Sequence, residues 1–292
     1  MVFIVWFAQG FKRVHQTSFL RNRCFLVNPN AAFHKGCAVD IRSSFPTVGN
    51  PSITLSASVF EENDASYSGV NSNPIGAALY MNTLNGILNI SKCKFLRNRA
   101  FFAGGAVFLA NPNSVIEDTL FQENSILGSN GASGAGGALF VDSGIANVNR
   151  CTFRKNAILF VNASVGSAVA VGLQSQTITY LLMQDVAFLN NTGLQYAHGA
   201  IGVSFNSNQS VVKVERPYFC GNVAGPLLAD YGCAGGGQLA TTNFSAVQSP
   251  AFLCQGNSPC QLFVNDSVAL NSCSGGFSSG DVRGTNFDVM CA

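Results

Sequence analysis

Residues 104–156 read GGAVFLANPNSVIEDTLFQENSILGSNGASGAGGALFVDSGIANVNRCTFRKN. Two motifs alternate in this stretch. Gly104-Gly105-Ala106-Val107 is followed by Phe121-Gln122-Glu123-Asn124, and Gly136-Gly137-Ala138-Leu139 by Phe153-Arg154-Lys155-Asn156. The second unit holds two short apolar runs, Ala138–Val141 and Ile145–Phe153, separated by Asp142-Ser143-Gly144. Short β-forming runs punctuated by Gly, Asn and Asp at a recurring interval are the signature of a β-solenoid. Each repeat then makes one coil and pairs in parallel with its neighbours.

The same pair of motifs extends in both directions. Phe-x-x-Asn occurs at Phe19–Asn22, Phe60–Asn63, Phe95–Asn98, Phe121–Asn124, Phe153–Asn156, Phe188–Asn191 and Phe219–Asn222, in steps of 41, 35, 26, 32, 35 and 31 residues. Small-residue motifs sit between them at Gly36-Cys37-Ala38-Val39, Gly76-Ala77-Ala78-Leu79, Gly166-Ser167-Ala168-Val169 and His198-Gly199-Ala200-Ile201. The uneven steps are compatible with stacking because insertions enter the turns. Phenylalanine is expected to fill the interior and stack from coil to coil. Asparagine at a corner can satisfy backbone groups, adopt the left-handed conformation and form side-chain ladders, while Gly-Gly-Ala permits positive φ or close packing where the coil bends. Seven coils at about 4.8 Å predict a rod roughly 30 Å long. Residues 1–224 are read as the repeat region, and 225–292 as a cysteine-rich continuation or cap.

Two positions after each motif phenylalanine stand Arg21, Glu62, Arg97, Glu123 and Lys155, then uncharged Asn190 and Gly221. The alternation of sign predicts that residues 21, 62, 97, 123 and 155 form one column down the rod. Exposed pairs of this kind contribute only a few tenths of a kcal/mol, so the column is a marker of register more than a source of stability.

The paired motifs resemble the repeats of the polymorphic outer-membrane protein family, over about residues 16–224. Phe-x-x-Asn is complete in all seven units, and Gly-Gly-Ala is intact at Gly104 and Gly136. The resemblance implies an all-β, right-handed parallel β-helix like that of pectin lyases, displayed at a surface. Bacterial members are autotransporters ending in a membrane β-barrel, whereas Asp288-Val289-Met290-Cys291-Ala292 lacks the alternating pattern of barrel strands. A soluble or fragmentary ectodomain, as in large eukaryotic surface proteins with similar repeats, fits better.

Composition agrees with a stacked β fold. Of 292 residues 47% are hydrophobic and only 10% charged, against about 25% charged in an average globular protein. Such a chain buries a core and is not a disordered tail. The net charge of +2 argues against a nucleic-acid partner, which calls for a clustered basic surface. Residues 1–155 hold thirteen Lys/Arg and eight Asp/Glu, and 156–292 hold three and six. The uncharged stretch 156–184 is interrupted by Asn162, Ser164, Ser167, Gln174, Ser175 and Gln176, so it does not read as a membrane span. Membrane association would come through segments outside this chain. The apolar start MVFIVWFA reads as a short signal peptide or as a first buried strand.

Cys93 and Cys151 share one repeat position with Thr119 between them. Two coils, about 9.6 Å, separate them, too far for a disulfide, and they read as buried small hydrophobes. Cys220, Cys233, Cys254, Cys260, Cys273 and Cys291 crowd the last 73 residues and read as disulfide formers in an oxidising compartment that cap the last coil. Zinc is the runner-up, disfavoured because no Cys-x-x-Cys pair exists and no histidine follows His198. Cys24 and Cys37 form a further candidate pair. Asn-x-Ser/Thr acceptors begin at Asn89, Asn162, Asn190, Asn208, Asn243 and Asn265 and support secretion.

Catalysis on a β-helix needs carboxylates converging in a groove. Glu61-Glu62-Asn63-Asp64 and Glu117-Asp118 are the densest acidic groups and read as solvated turns. His198-Gly199 resembles the His-Gly of galacturonan hydrolases, without their aspartate pairs; Glu215-Arg216 is a lone charged pair. No nucleophile elbow or phosphate loop is present, and no catalytic, cofactor-binding or metal-ligating residue is assigned. Two functions remain. The favoured one is a non-catalytic extracellular or cell-surface protein that meets surface proteins or glycans in adhesion or surface-layer structure. The alternative is a carbohydrate-active enzyme with a groove along one sheet.

Overall fold

The computed structural model describes residues 3–6, 11–24, 36–43, 51–65, 75–83, 86–110, 112–128, 135–159, 166–172, 179–193, 200–203, 211–215, 218–220, 222, 231–234, 238–242, 246–247, 252–255, 261–265 and 268–270. Every regular element among them is a β-strand. One coil runs through four strands, Leu79–Thr83, Ile87–Ser91, Lys94–Leu96 and Arg99–Ala100. The next repeats the order as Val107–Ala110, Asn113–Glu117, Leu120–Gln122 and Ser125–Ile126. Equivalent strands pair in parallel and in register, so that Phe95 lies between Phe60 and Phe121. The result is a parallel β-helix with four walls, a nine-stranded first wall, a ten-stranded second, an eight-stranded third carrying the phenylalanines, and a five-stranded fourth.

The stack continues past the point where the motifs fade. Tyr231–Ala234 and Phe252–Gln255 extend the first wall, and Gln238–Thr242 and Gln261–Asn265 the second. Among the described residues only Val268–Leu270 pairs antiparallel, at the edge of the second wall. At the other end, Phe3–Trp6 pairs with Val39–Arg42, so the apolar N-terminus supplies a strand of the first wall. The uncharged region 156–184 holds the strands Ala157–Ile158, Val169–Val171 and Thr179–Gln184. Among the described residues no helix is long and apolar enough to cross a membrane.

Strand burial follows from wall geometry. The second and third walls show period-two burial, as in Ile87–Ser91 and Leu120–Gln122, because one face meets the core and the other solvent. The first wall is buried on both faces, as in Val107–Ala110. Its inner side chains join the main core with Phe60, Phe95, Phe121 and Phe153. Its outer ones, Tyr80, Phe108 and Phe140, make a second cluster with Ile75, Phe102, Ala103 and Ala135. Ile75, Ala103 and Ala135 bridge one another in parallel and so form a thread laid outside the wall.

Two ladders hold the third corner. Phe19, Phe60, Phe95, Phe121, Phe153 and Phe188 stack with centroids 4.7, 4.7, 4.9, 4.7 and 5.3 Å apart and planes within 10°. Phe219 lies in register with Phe188. Asn22, Asn63, Asn98, Asn124, Asn156, Asn191 and Asn222 are buried, and each Nδ2 from Asn22 to Asn191 donates to the next Oδ1 at 2.7–3.0 Å. The backbone N–H of each donates to the same oxygen. From Asn63 onward each Nδ2 also donates to the phenylalanine carbonyl of the preceding coil. Asn63, Asn98, Asn124, Asn156 and Asn191 thus use two donors and two acceptor sites, the full capacity of the amide.

Positive φ falls on a different residue from the one expected. No motif asparagine is left-handed; the residue before it is, at Arg21, Glu62, Arg97, Glu123, Lys155 and Asn190. The remaining described non-glycine residues with positive φ are Gln16, Ala57, Lys92, Asp118, Arg150 and Asp185, each three before a motif phenylalanine. Both columns keep the inter-coil backbone bonds running around the corner, as from Glu62 N–H to the Leu96 carbonyl and from Asp118 N–H to the Asn149 carbonyl. The first glycine of the small-residue motif makes a third left-handed column. A Cβ on Gly136 would lie 2.2 Å from the Leu139 oxygen, so side chains are tolerated at the first two columns and excluded here. Ala57, at φ 48°, bears left-handed strain of about 1–2 kcal/mol without any charge to display. Ala57→Gly therefore raises stability by about 0.5 kcal/mol after the unfolded-state entropy of glycine is subtracted. A denaturant midpoint that falls instead would contradict the strain.

Candidate functional site

The left-handed corners project their side chains to solvent, and that is where the charge of this chain is concentrated. In the first column Arg21 Nε donates to Glu62 Oε2 at 2.8 Å, and Arg97 Nε to Glu62 Oε1 at 3.2 Å. A terminal nitrogen of Arg97 also pairs with Glu61. Hydrogen bonds from Arg21 and Arg97 hold the Glu62 carboxyl below the usual carboxylate range. Arg21, Glu62, Arg97, Glu123 and Lys155 stack as one column, joined through backbone bonds to successive coils.

A second charged column runs along the other edge of the third wall as Lys92, Asp118, Arg150 and Asp185. Arg150 Nε donates to Asp118 Oδ1 at 2.8 Å, and the same guanidinium lies 3.6 Å from Glu117. Arg150 lowers the Asp118 pKa, chiefly by hydrogen bonding. The signal for this column was present three residues before each phenylalanine, but its first members, Gln16 and Ala57, are uncharged, so the alternation begins only at Lys92.

Both carboxylates have pKa values lowered by folding, so their contribution to stability is complete above the unfolded pKa of about 4 and is lost as pH falls through the lower folded values. A Glu62→Gln/Asp118→Asn variant should show a flatter fall in thermal midpoint between about pH 5 and pH 3 than the parent chain. Parallel curves would remove these corners from the acid response.

The second wall offers a flat outer face. Ile87, Asn113, Ile145 and Tyr180 occupy one column in register, with Ile87, Ile145 and Tyr180 exposed by 42%, 44% and 47%. Beside them run Thr54, Asn89, Val115, Asn147 and Leu182, then Ser56, Ser91, Glu117, Asn149 and Gln184. Over these coils the face is mixed aliphatic and amide with Glu117 as its charge, and the same columns run on to Arg13 and His15 at one end and to Lys213 and Glu215 at the other.

The remaining sequence candidates fall as follows. Cys24 and Cys37 form a disulfide with Cα atoms 5.3 Å apart. Cys93 and Cys151 are free and buried. Burial pushes the Cys93 thiol up and the Cys151 thiol up to about 12, so neither is a thiolate nucleophile at neutral pH. They belong to a column with Ser58 and Thr119 in which each Sγ or Oγ donates to the carbonyl two residues earlier. Cys220 lies on the third wall, and Cys233 and Cys254 are register neighbours on the first; Cys260, Cys273 and Cys291 lie outside the described residues. Among the glycan acceptors, Asn89 is half-buried on the flat face, Asn190 is exposed at a left-handed corner, and Asn265 ends a strand. Asn162, Asn208 and Asn243 lie outside the described residues, as do His198, Gly199 and Arg216. Among the described residues no three His, Cys, Asp or Glu side chains are grouped to hold a metal ion. No family model, no curated protein and no solved structure matches this chain.

Proposed function

We propose that the protein is a non-catalytic, extracellular or cell-surface β-helix that acts in adhesion or surface-layer structure, with surface proteins or glycans as partners. The observation that carries this reading is the flat second wall, whose outward column of Ile87, Asn113, Ile145 and Tyr180 is exposed along successive coils. A rigid face of aliphatic and amide groups suits contact with an extended partner. The two acidic clusters add to it. Glu62 is bound by Arg21 and Arg97 and Asp118 by Arg150, and these two carboxyls are pushed toward the deprotonated state, whereas a general acid needs a raised pKa. The Cys24–Cys37 disulfide supports an oxidising compartment, and the exposed acceptor at Asn190 agrees with secretion. The resemblance to polymorphic outer-membrane repeats supports the right-handed, pectin lyase-like form and display at a surface.

The test is adhesion of the purified chain to cells and extracellular matrix, compared with an Ile145→Asp/Tyr180→Asp variant on the flat face. Reduced adhesion of a variant with an unchanged melting curve supports the reading. Bond cleavage in a panel of acidic and neutral polysaccharides overturns it in favour of the enzyme.

A further inference from the structure

The corner between the third and fourth walls carries a second charged strip four residues after the first three motif phenylalanines, at Arg23, Asp64 and Arg99. Arg23 and Asp64 bridge each other, and Asp64 pairs in register with Arg99. Beside them stand Arg21, Glu62 and Arg97. These six residues line an open depression of about 400 Å³. Among the described residues Arg23 and Arg99 make no ion pair and are exposed. Arg21 is 79% exposed and is bound through Nε alone, leaving its terminal amino groups for a ligand. Glu62, accepting from both Arg21 and Arg97, holds the two forks in place.

The geometry points to this depression as a binding strip for a linear acidic polysaccharide lying along the coil axis, which gives the adhesive reading above a specific ligand class and rests on it. Guanidinium forks recognise carboxylate and sulfate oxygens by paired hydrogen bonds. Here they recur at every second coil, about 9.6 Å apart, with Glu62 and Asp64 between. The ligand must therefore be anionic at wide intervals and must present hydrogen-bond donors in the gaps. A polysaccharide with one acidic group per disaccharide does both, its hydroxyls donating to Glu62 and Asp64. A nucleic-acid strand fits poorly, because it carries a charge about every 3.4 Å and would set phosphates against the two carboxylates. Further along the neighbouring corner column, past Glu123, stands the exposed Lys155.

The test uses the full chain in solution with fluorescent hyaluronan and κ-carrageenan, which carry one carboxylate and one sulfate per disaccharide, and with dextran and a thymidine oligonucleotide as further probes, over a salt series. Binding to hyaluronan, κ-carrageenan or both is expected, with the stronger of the two identifying carboxylate or sulfate as the preferred group. Arg23→Gln/Arg99→Gln should weaken it about tenfold or more, since two charge-assisted contacts are lost, and should reduce its salt dependence. Arg150→Gln on the other corner should leave it within about twofold. Equal binding by the parent and the Arg23/Arg99 variant, or tighter binding of the oligonucleotide than of either polysaccharide, overturns the inference. Adhesion to cells without binding to either acidic polysaccharide also overturns it, while leaving the adhesive reading standing.

Discussion

Asn124→Asp destabilises the protein by about 3–5 kcal/mol at neutral pH, an effect far larger than a one-atom change on a surface turn would have. Asn124 is fully buried. Its Oδ1 accepts from the N–H and the Nδ2 of Asn98, and its Nδ2 donates to Asn156 Oδ1 at 3.0 Å and to the Phe95 carbonyl at 2.9 Å. Aspartate keeps the acceptor side and places a second oxygen against two oxygens. Ionised, it is an unpaired buried charge; protonated, it supplies one donor where two are needed. Its folded pKa is therefore raised above the unfolded value of about 4, so the variant comes closest to the parent near pH 4 and below. The deficit then grows by about 1.4 kcal/mol per pH unit until the folded pKa is passed. Asn124→Ala leaves the Asn98 N–H and one Asn98 Nδ2 hydrogen without their acceptor and removes the side-chain donor to the Phe95 carbonyl, while Asn156 Oδ1 keeps the Asn124 N–H; the cost is about 1–3 kcal/mol for each buried group left unpaired, with no such pH dependence. Denaturant unfolding of both variants from pH 4 to 8 separates the two causes. A loss under about 1 kcal/mol for Asn124→Asp at pH 7 would show that the amide ladder is not what closes this corner.

That ladder was legible in the sequence because every rung uses the same residue at the same place in the repeat, and so were the phenylalanine stack and the first charged column. The left-handed residue was not. Asparagine is the usual occupant of that conformation, but here its side chain is turned inward to bond and the strain passes to the preceding residue, whose charged side chain needs only solvent. The outer layer on the first wall was likewise missed, although a signal existed. Runs such as Ala106-Val107-Phe108-Leu109 are apolar without alternation, which marks a strand covered on both faces. The C-terminal strands from Tyr231 onward had no motif to reveal them, because parallel backbone pairing does not require a particular side chain. For the functional surface the limit is physical. Ladder residues repeat and so announce themselves, whereas Ile87, Ile145 and Tyr180, or Arg23 and Arg99, become neighbours only through a register that varies by several residues of loop between coils.

Phe121→Ala carries the other large effect, a loss of about 3–5 kcal/mol. Phe121 has no exposed surface and lies between Phe95 at 4.9 Å and Phe153 at 4.7 Å, its ring nearly parallel to both. The cavity left by its ring cannot collapse along the rod, because backbone bonds hold the coils at about 4.8 Å and the two flanking rings are fixed to their own strands. The removed ring therefore costs its transfer free energy and the packing of both neighbours. A double-mutant cycle with Phe153→Ala should give a coupling of about 0.5–1.5 kcal/mol, the range of a stacked aromatic pair. In a linear stack each coil is stabilised by its two neighbours, so a weakened central rung also reduces the coupling between the two ends. Denaturant unfolding of Phe121→Ala is expected to broaden or to split into two transitions where the parent chain shows one. A single sharp transition shifted by less than about 1.5 kcal/mol would mean that stability is carried by the backbone walls and the asparagine ladder, with the rings as filling.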